Sequence, residues 1–215
     1  MFVISLVGQK GGTGKTTIAL GLAVAATNSG LETAIIDLDP QATAANWRDR
    51  RECERPAVVS AQASRLKQTL DAARVGGAQL VIIDTAGRND DSALNAARHS
   101  DLVLVPTRTN VIEIETLNAV VDMLRIAGNP PTRVVLNGLH PSATKTADEA
   151  RAMIHTVFGL ECAPVHLCHR QAYADAPITG CTPQELDKDG KAGQELAQLY
   201  RFSIDFVNKV TTEHV

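Results

Sequence analysis

Apolar and polar residues fall in blocks along this chain. Short runs rich in Val, Ile and Leu recur at 2–7, 33–38, 57–60, 79–84, 102–106, 133–137 and 162–167. Between them apolar residues return every three or four positions, over Thr16–Ser29, Ser64–Arg74, Ile112–Ala127 and Thr146–Phe158, with a last such stretch reaching about Val210. Apolar runs this short, without polar alternation, read as strands buried on both faces, and the longer period reads as amphipathic helix. Strands alternating with helices predict an α/β fold with a mostly parallel central sheet and helices on both faces. Residues 42–55 break the pattern, since from Arg48 to Arg55 four arginines are mixed with three acids. Such mixing predicts a solvated helix face laced with side-chain pairs, or a surface for a partner protein.

The first strand and helix are joined by Gly8-Gln9-Lys10-Gly11-Gly12-Thr13-Gly14-Lys15-Thr16-Thr17. Gly11, Gly12 and Gly14 let the backbone turn tightly and aim several N–H groups into one concavity, where a helix N-terminus adds its positive end. That cradle suits a polyphosphate. Lys15 is placed to neutralise the β- and γ-phosphates and the Thr16 hydroxyl to ligate Mg²⁺. Gln9 stands where the generic G-x-x-x-x-G-K-[ST] pattern has its first glycine. Two further runs end in acids: Thr33–Asp39, followed by Pro40-Gln41, and Leu80–Asp84, followed by Thr85-Ala86-Gly87. Asp84, on a buried strand, matches a Walker B carboxylate that accepts from a magnesium-bound water.

The loop Lys10–Thr17, with Asp37-Leu38-Asp39-Pro40-Gln41 after it, resembles the partition-type ATPases, the family of ParA, MinD and the nitrogenase iron protein. The resemblance spans essentially the whole chain and implies a P-loop NTPase of the deviant Walker A type. Its nucleotide site would comprise Lys10, Gly11, Gly12, Thr13, Gly14, Lys15, Thr16 and Thr17, with ATP and Mg²⁺ as cofactors. It implies that Lys10 reaches the nucleotide held by a second subunit, that Asp39 orients or activates the attacking water, and that Asp37 lies near the magnesium shell with Thr16 and Asp84. Lys10, Lys15 and Asp39 would then carry catalysis. Asn137, at a strand end, resembles the asparagine that reads the adenine edge. Family members often have D-x-P-P where this chain has Asp84-Thr85-Ala86-Gly87, so its second switch is expected to differ in shape.

At 215 residues with 44% hydrophobic content, the chain 1–215 is expected to form one ATPase domain. Asp and Glu total 24 against 21 Lys and Arg, a formal charge of −3, so the whole-chain field does not draw nucleic acid. DNA would have to meet a local patch. Lys191, Lys188 and Arg170 lie in the region where ParA relatives carry DNA-contacting cations, although the lysines could instead pair with Asp187 and Asp189. Cys53, Cys162, Cys168 and Cys181 form no C-x-x-C pair, so reduced thiols and a cytoplasmic setting are expected. The cluster Cys162, His166, Cys168 and His169 has metal-ligand residue types without metal-ligand spacing. No apolar run is long enough for a membrane span, and the tail after Phe206 is too polar for an amphipathic anchor.

The resemblance implies a partition switch for a plasmid or chromosome, of the short type that leaves operator binding to its partner. ATP would close a homodimer that binds non-specific DNA on the nucleoid, until a centromere-bound ParB-like adaptor stimulates hydrolysis. A positioning ATPase for a non-DNA cargo is the alternative. A P-loop reductase would need cluster cysteines between Cys53 and Cys162, where none occurs, and a ligase would need an inserted substrate pocket.

Overall fold

The computed structural model describes residues 1–87 and 91–213. In chain order its elements are β1 (Phe2–Leu6), α1 (Lys15–Asn28), β2 (Thr33–Asp37), α2 (Thr43–Asp49), β3 (Ala57–Ser60), α3 (Leu66–Val75), β4 (Leu80–Asp84), α4 (Asp91–Arg98) and β5 (Leu102–Thr107). They continue with α5 (Val111–Glu115), α6 (Leu117–Ile126), β6 (Thr132–Leu136), α7 (Thr144–Phe158), α8 (Ala172–Asp175), α9 (Pro183–Leu186) and α10 (Lys191–Glu213). The six strands form one sheet in the order β3-β2-β4-β1-β5-β6, and every pairing is parallel. The expected mostly parallel α/β sheet is therefore present, and among these strands it is wholly parallel.

Side-chain alternation explains why both faces are covered. Leu80 and Ile82 point into a core shared with α1 and α10, while Val81 and Ile83 point into one shared with α3 and α4. Toward the other edge, Val103, Val105, Val134 and Leu136 pack beneath α6 and α7. Helix α1 lies so close to α10 that a Cβ on Gly21 would come within 2.7 Å of Leu196.

Two expectations are corrected, and one element was not foreseen. The run Cys162–Leu167 is no strand. It keeps fragments of parallel pairing, with Ala163 N donating to Val134 O (2.8 Å), but the ladder then slips, since Leu167 N and not Val165 N reaches Leu136 O (2.9 Å). The stretch 112–127 is two helices, α5 and α6, broken at Thr116. Helix α4 went unread because its buried face is Ser92, Ala93, Ala96 and Ala97, small side chains that carry little hydrophobic signal.

The arginine-rich stretch is the expected solvated surface with side-chain pairs at every residue but Arg51: Arg48, Asp49, Arg50 and 52–55 are exposed, and Arg48 pairs with Asp49. Helix α2 ends at Asp49, and the Arg51 side chain is only 4% exposed. Its guanidinium bonds both Glu185 oxygens (3.0 and 2.8 Å), donates to Gly180 O (2.8 Å) and lies 4.4 Å from the Trp47 ring centre. Burial opposes ionisation of Glu185, but Arg51 outweighs it and holds the carboxyl below its usual range. Trp47, the chain's one tryptophan, is fully buried and donates Nε1 to Cys181 O (3.0 Å). This clamp fastens residues 177–185 to α2. Trp47→Ala is expected to cost about 3–5 kcal/mol and Trp47→Phe about 1–2 kcal/mol, read as shifts in the urea midpoint by circular dichroism.

Candidate nucleotide site

In an all-parallel sheet, ligands gather beyond the carboxyl ends of the strands. There β1 runs into the glycine loop, β2 into Asp37 and Asp39, β4 into Asp84, β5 into Thr107-Arg108 and β6 into Asn137. A cleft of 1010 Å³ opens between them, lined by Gly11, Gly12, Gly14, Lys15, Thr16, Thr17, Asp39, Pro40, Gln41, Thr43, Ala86 and Gly87. The loop, Thr16 and Asp39 are thus brought together on one cleft.

Each loop feature has a visible cause. Gly12 (φ 77°) and Gly14 (φ 99°) take left-handed backbone, which L side chains resist, and Gly14 is the residue from which α1 starts. A Cβ on Gly14 would also collide with the Asn137 amide. Three loop carbonyls have side-chain donors: Lys15 Nζ donates to Lys10 O (3.1 Å), Arg108 Nη2 to Gly12 O (3.0 Å) and Asn137 Nδ2 to Thr13 O (2.7 Å). Lys15 is 6% exposed, so its ammonium is held inside the cradle. Lys10, by contrast, is exposed on the lip, and its Nζ is 3.9 Å from the buried Glu113 carboxylate.

The two β2 aspartates do different work. Asp37 is 1% exposed and accepts from Asp39 N (3.0 Å) through Oδ1 and from Ala44 N (3.0 Å) and Ala45 N (3.2 Å) through Oδ2. Its carboxylate thereby satisfies free N–H groups at the start of α2. Burial raises its pKa while those three N–H groups pull the other way. Asp39 is half-buried at the cleft wall, and its Oδ1 accepts from Gln41 N (2.9 Å). Asn137 gives one amide hydrogen to Thr13 O and accepts from Gly138 N (2.8 Å), which leaves one N–H and one lone pair for a base.

Asp84 is fully buried, and among the described residues neither of its oxygens accepts a hydrogen bond of ordinary geometry. Burial pushes its pKa up to about 7; the Thr16 hydroxyl opposes the rise and the Asp37 charge adds to it. An orphaned buried carboxylate beside a threonine hydroxyl and a phosphate cradle is a donor set that fits Mg²⁺. Gly87, three residues on, packs so tightly on the loop that a Cβ there would lie 2.7 Å from Gly11 N.

The predicted DNA cations divide. Arg170 is bound to Glu195 through Nε (2.9 Å) and Nη2 (2.6 Å), and Glu195 also accepts from Cys168 N and the Tyr173 hydroxyl. Lys188 and Lys191 are exposed and make no ion pair among the described residues. Sequence reasoning missed Arg108 and Glu113, which touch the loop from β5 and α5. The Asn110-x-x-Glu113 spacing of a helix start, with Asn110 Oδ1 accepting from Glu113 N (2.9 Å), was the available signal. His214 and Val215 of the polar tail lie outside the described residues.

A glycine cradle at the carboxyl end of a parallel sheet, followed by a helix and faced by a buried strand-end aspartate, defines a P-loop nucleotide-binding protein. Residues 4–183 match the CobQ/CobB/MinD/ParA nucleotide binding domain, and the chain belongs to that family. It is 30% identical to the maintenance of carboxysome distribution protein A of Gloeobacter kilaueensis, over 69% of this chain and 68% of that one. It is 26% identical to the chromosome-partitioning ATPase Soj of Thermus thermophilus, over 83% and 86%. The MinD cell division protein of Aquifex aeolicus superposes with a TM-score of 0.79 over 95% of this chain and 98% of that one, at 17% identity.

Because the folded state raises the Asp84 pKa from 3.8 to about 7, the folded protein binds the extra proton between those values. Without nucleotide and metal, stability is therefore expected to fall as pH rises from about 4 to about 7, by on the order of 4 kcal/mol. In Asp84→Asn this slope should shrink to the contribution of Asp37, whose pKa burial also raises, and Mg²⁺-dependent nucleotide binding should weaken. Urea titrations across pH, with calorimetric nucleotide titrations, measure both.

Proposed function

We propose that the chain is an ATP-dependent switch ATPase that partitions a cargo: ATP closes a homodimer, the dimer binds non-specific DNA, and hydrolysis to ADP and phosphate opens it. The observation that carries this reading is Asp84, buried and, among the described residues, without a hydrogen-bond partner of ordinary geometry, beside a glycine cradle that holds Lys15. Lys15 and the loop N–H groups bind the polyphosphate in cis, while exposed Lys10 serves the nucleotide of the second copy. Thr16 and Asp84, with Asp37 behind them, would hold Mg²⁺, which supplies charge neutralisation at the β- and γ-phosphate oxygens. Asp39 orients the attacking water from the cleft wall, and the half of the Asn137 amide not used in bracing the loop meets adenine. Lys191 and Lys188 supply phosphate contacts to DNA, doubled in the dimer; Arg170, committed to Glu195, is left out.

A centromere-binding ParB-like adaptor is the partner this reading calls for, and the setting is cytoplasmic and nucleoid-associated. Likeness to Soj supports plasmid or chromosome as cargo. Likeness to the carboxysome distribution protein favours a second reading, in which the same switch positions a protein assembly. Identifying the protein that co-purifies with the ATP form separates the two.

Asp39→Ala is expected to bind ATP and dimerise normally while turnover falls about a hundredfold, since a positioned base contributes on that order. Single-turnover hydrolysis with light scattering reads both, and unchanged turnover removes Asp39 from the role. Electrophoretic binding to unrelated duplexes should require ATP rather than ADP and should fall steeply with salt. Lys191→Glu should abolish it without loss of dimer. Absence of DNA binding by the wild type in either state would refute the DNA part of the reading.

A further inference from the structure

The lip of the phosphate loop carries a cation that the site so far leaves unused. Arg108 is exposed, its Nη2 bonds the Gly12 carbonyl, and its guanidinium makes no ion pair among the described residues. One neutral acceptor occupies one of the five donors of this guanidinium. The nearby carboxylate does not neutralise it: Glu113 takes Lys10 Nζ on Oε1 (3.9 Å) and the Arg108 backbone N, not its guanidinium, on Oε2 (3.3 Å). A planar fork with free donors at the edge of a polyphosphate cradle is a phosphate ligand in waiting.

The direction of this cation follows from burial. Lys15 sits inside the cradle at 6% exposure, whereas the Lys10 side chain is 46% exposed and Arg108 is exposed as well, Lys10 Nζ and the Arg108 backbone N sharing the Glu113 carboxylate. Val111 (62% exposed) and Ile112 (69%) follow within four residues of Arg108. An apolar pair next to two outward cations is a surface that a second copy, bringing its own polyphosphate, would both cover and neutralise. We propose that Arg108 is a second trans-acting cation, which contacts the nucleotide bound by the other subunit in the closed dimer. The proposal rests on the face-to-face dimer described above and adds a residue to it.

Nucleotide affinity and dimerisation separate the possibilities. In a Lys10→Ala background, adding Arg108→Gln, which keeps an amide donor for Gly12 O but carries no charge, should leave the ATP dissociation constant within twofold. A tenfold loss there would overturn the proposal by placing Arg108 on its own subunit's nucleotide. In the otherwise native chain, Arg108→Ala should weaken the ATP-bound dimer about a hundredfold, since two equivalent charge-assisted contacts of about tenfold each are removed. Arg108→Lys should recover part of that loss, and thermal melts should be unchanged for both. Sedimentation with ATP and with ADP reads the dimer. If Arg108→Ala dimerises as the wild type does while Lys10→Ala does not, Arg108 is only a loop tether and the proposal fails alone. If the Lys10→Ala protein also dimerises normally, the face-to-face dimer itself fails, and this proposal with it.

Discussion

A loop can aim its N–H groups at an anion only if its carbonyl oxygens are held facing away, because each peptide unit carries both on opposite sides. In this protein side chains from neighbouring elements bond the loop carbonyls: Arg108 from the end of β5 and Asn137 from the end of β6, while Lys15 of α1 bonds Lys10 O from within the cradle. The sheet order is what brings them round a single loop, since β1 lies between β4 and β5 and β6 is next but one. The glycine backbone therefore supplies freedom, and the parallel sheet removes it again in one useful conformation.

Much of this could be read in the residues, and the reasons are specific. The buried strands announced themselves as runs of large branched side chains, and the loop as a cluster of glycines ahead of a lysine and a threonine. The β2 and β4 aspartates were legible as strand ends. What escaped was whatever depends on partners remote in sequence. Arg51 reads as one more surface arginine until Glu185, 134 residues away, folds against it. Arg108 and Glu113 look like a loop and a helix start until the phosphate loop is laid between them. The failed strand at 162–167 is a further case, because the slip that carries Leu167 N rather than Val165 N to Leu136 O depends on β6 and leaves no mark in the run itself.

Asp37 shows how one carboxylate can belong to two parts of a molecule. Its oxygens bind the backbone of Asp39 on one side and of Ala44 and Ala45 on the other. The turn that carries Asp39 is thus held at both ends by the residue where β2 stops. Helix α2 begins on that same carboxylate and ends at the Trp47–Arg51–Glu185 clamp. A continuous chain of hydrogen-bonded contacts therefore runs from the cleft wall to the segment that precedes α10.

The close seating of α1 against α10 bears on how nucleotide could be communicated to that distant segment. Gly21 leaves no room for Leu196 to shift inward, and Gln184 Nε2 grips Gly21 O at 2.8 Å from α9. The helix that begins at the phosphate cradle and the surface bearing Lys188 and Lys191 are consequently one rigid piece. In the dimer proposed above, such a body would make affinity for a long polyanion a matter of valency rather than rearrangement: each subunit would offer a fixed, weak set of charges, and pairing two would square its effect.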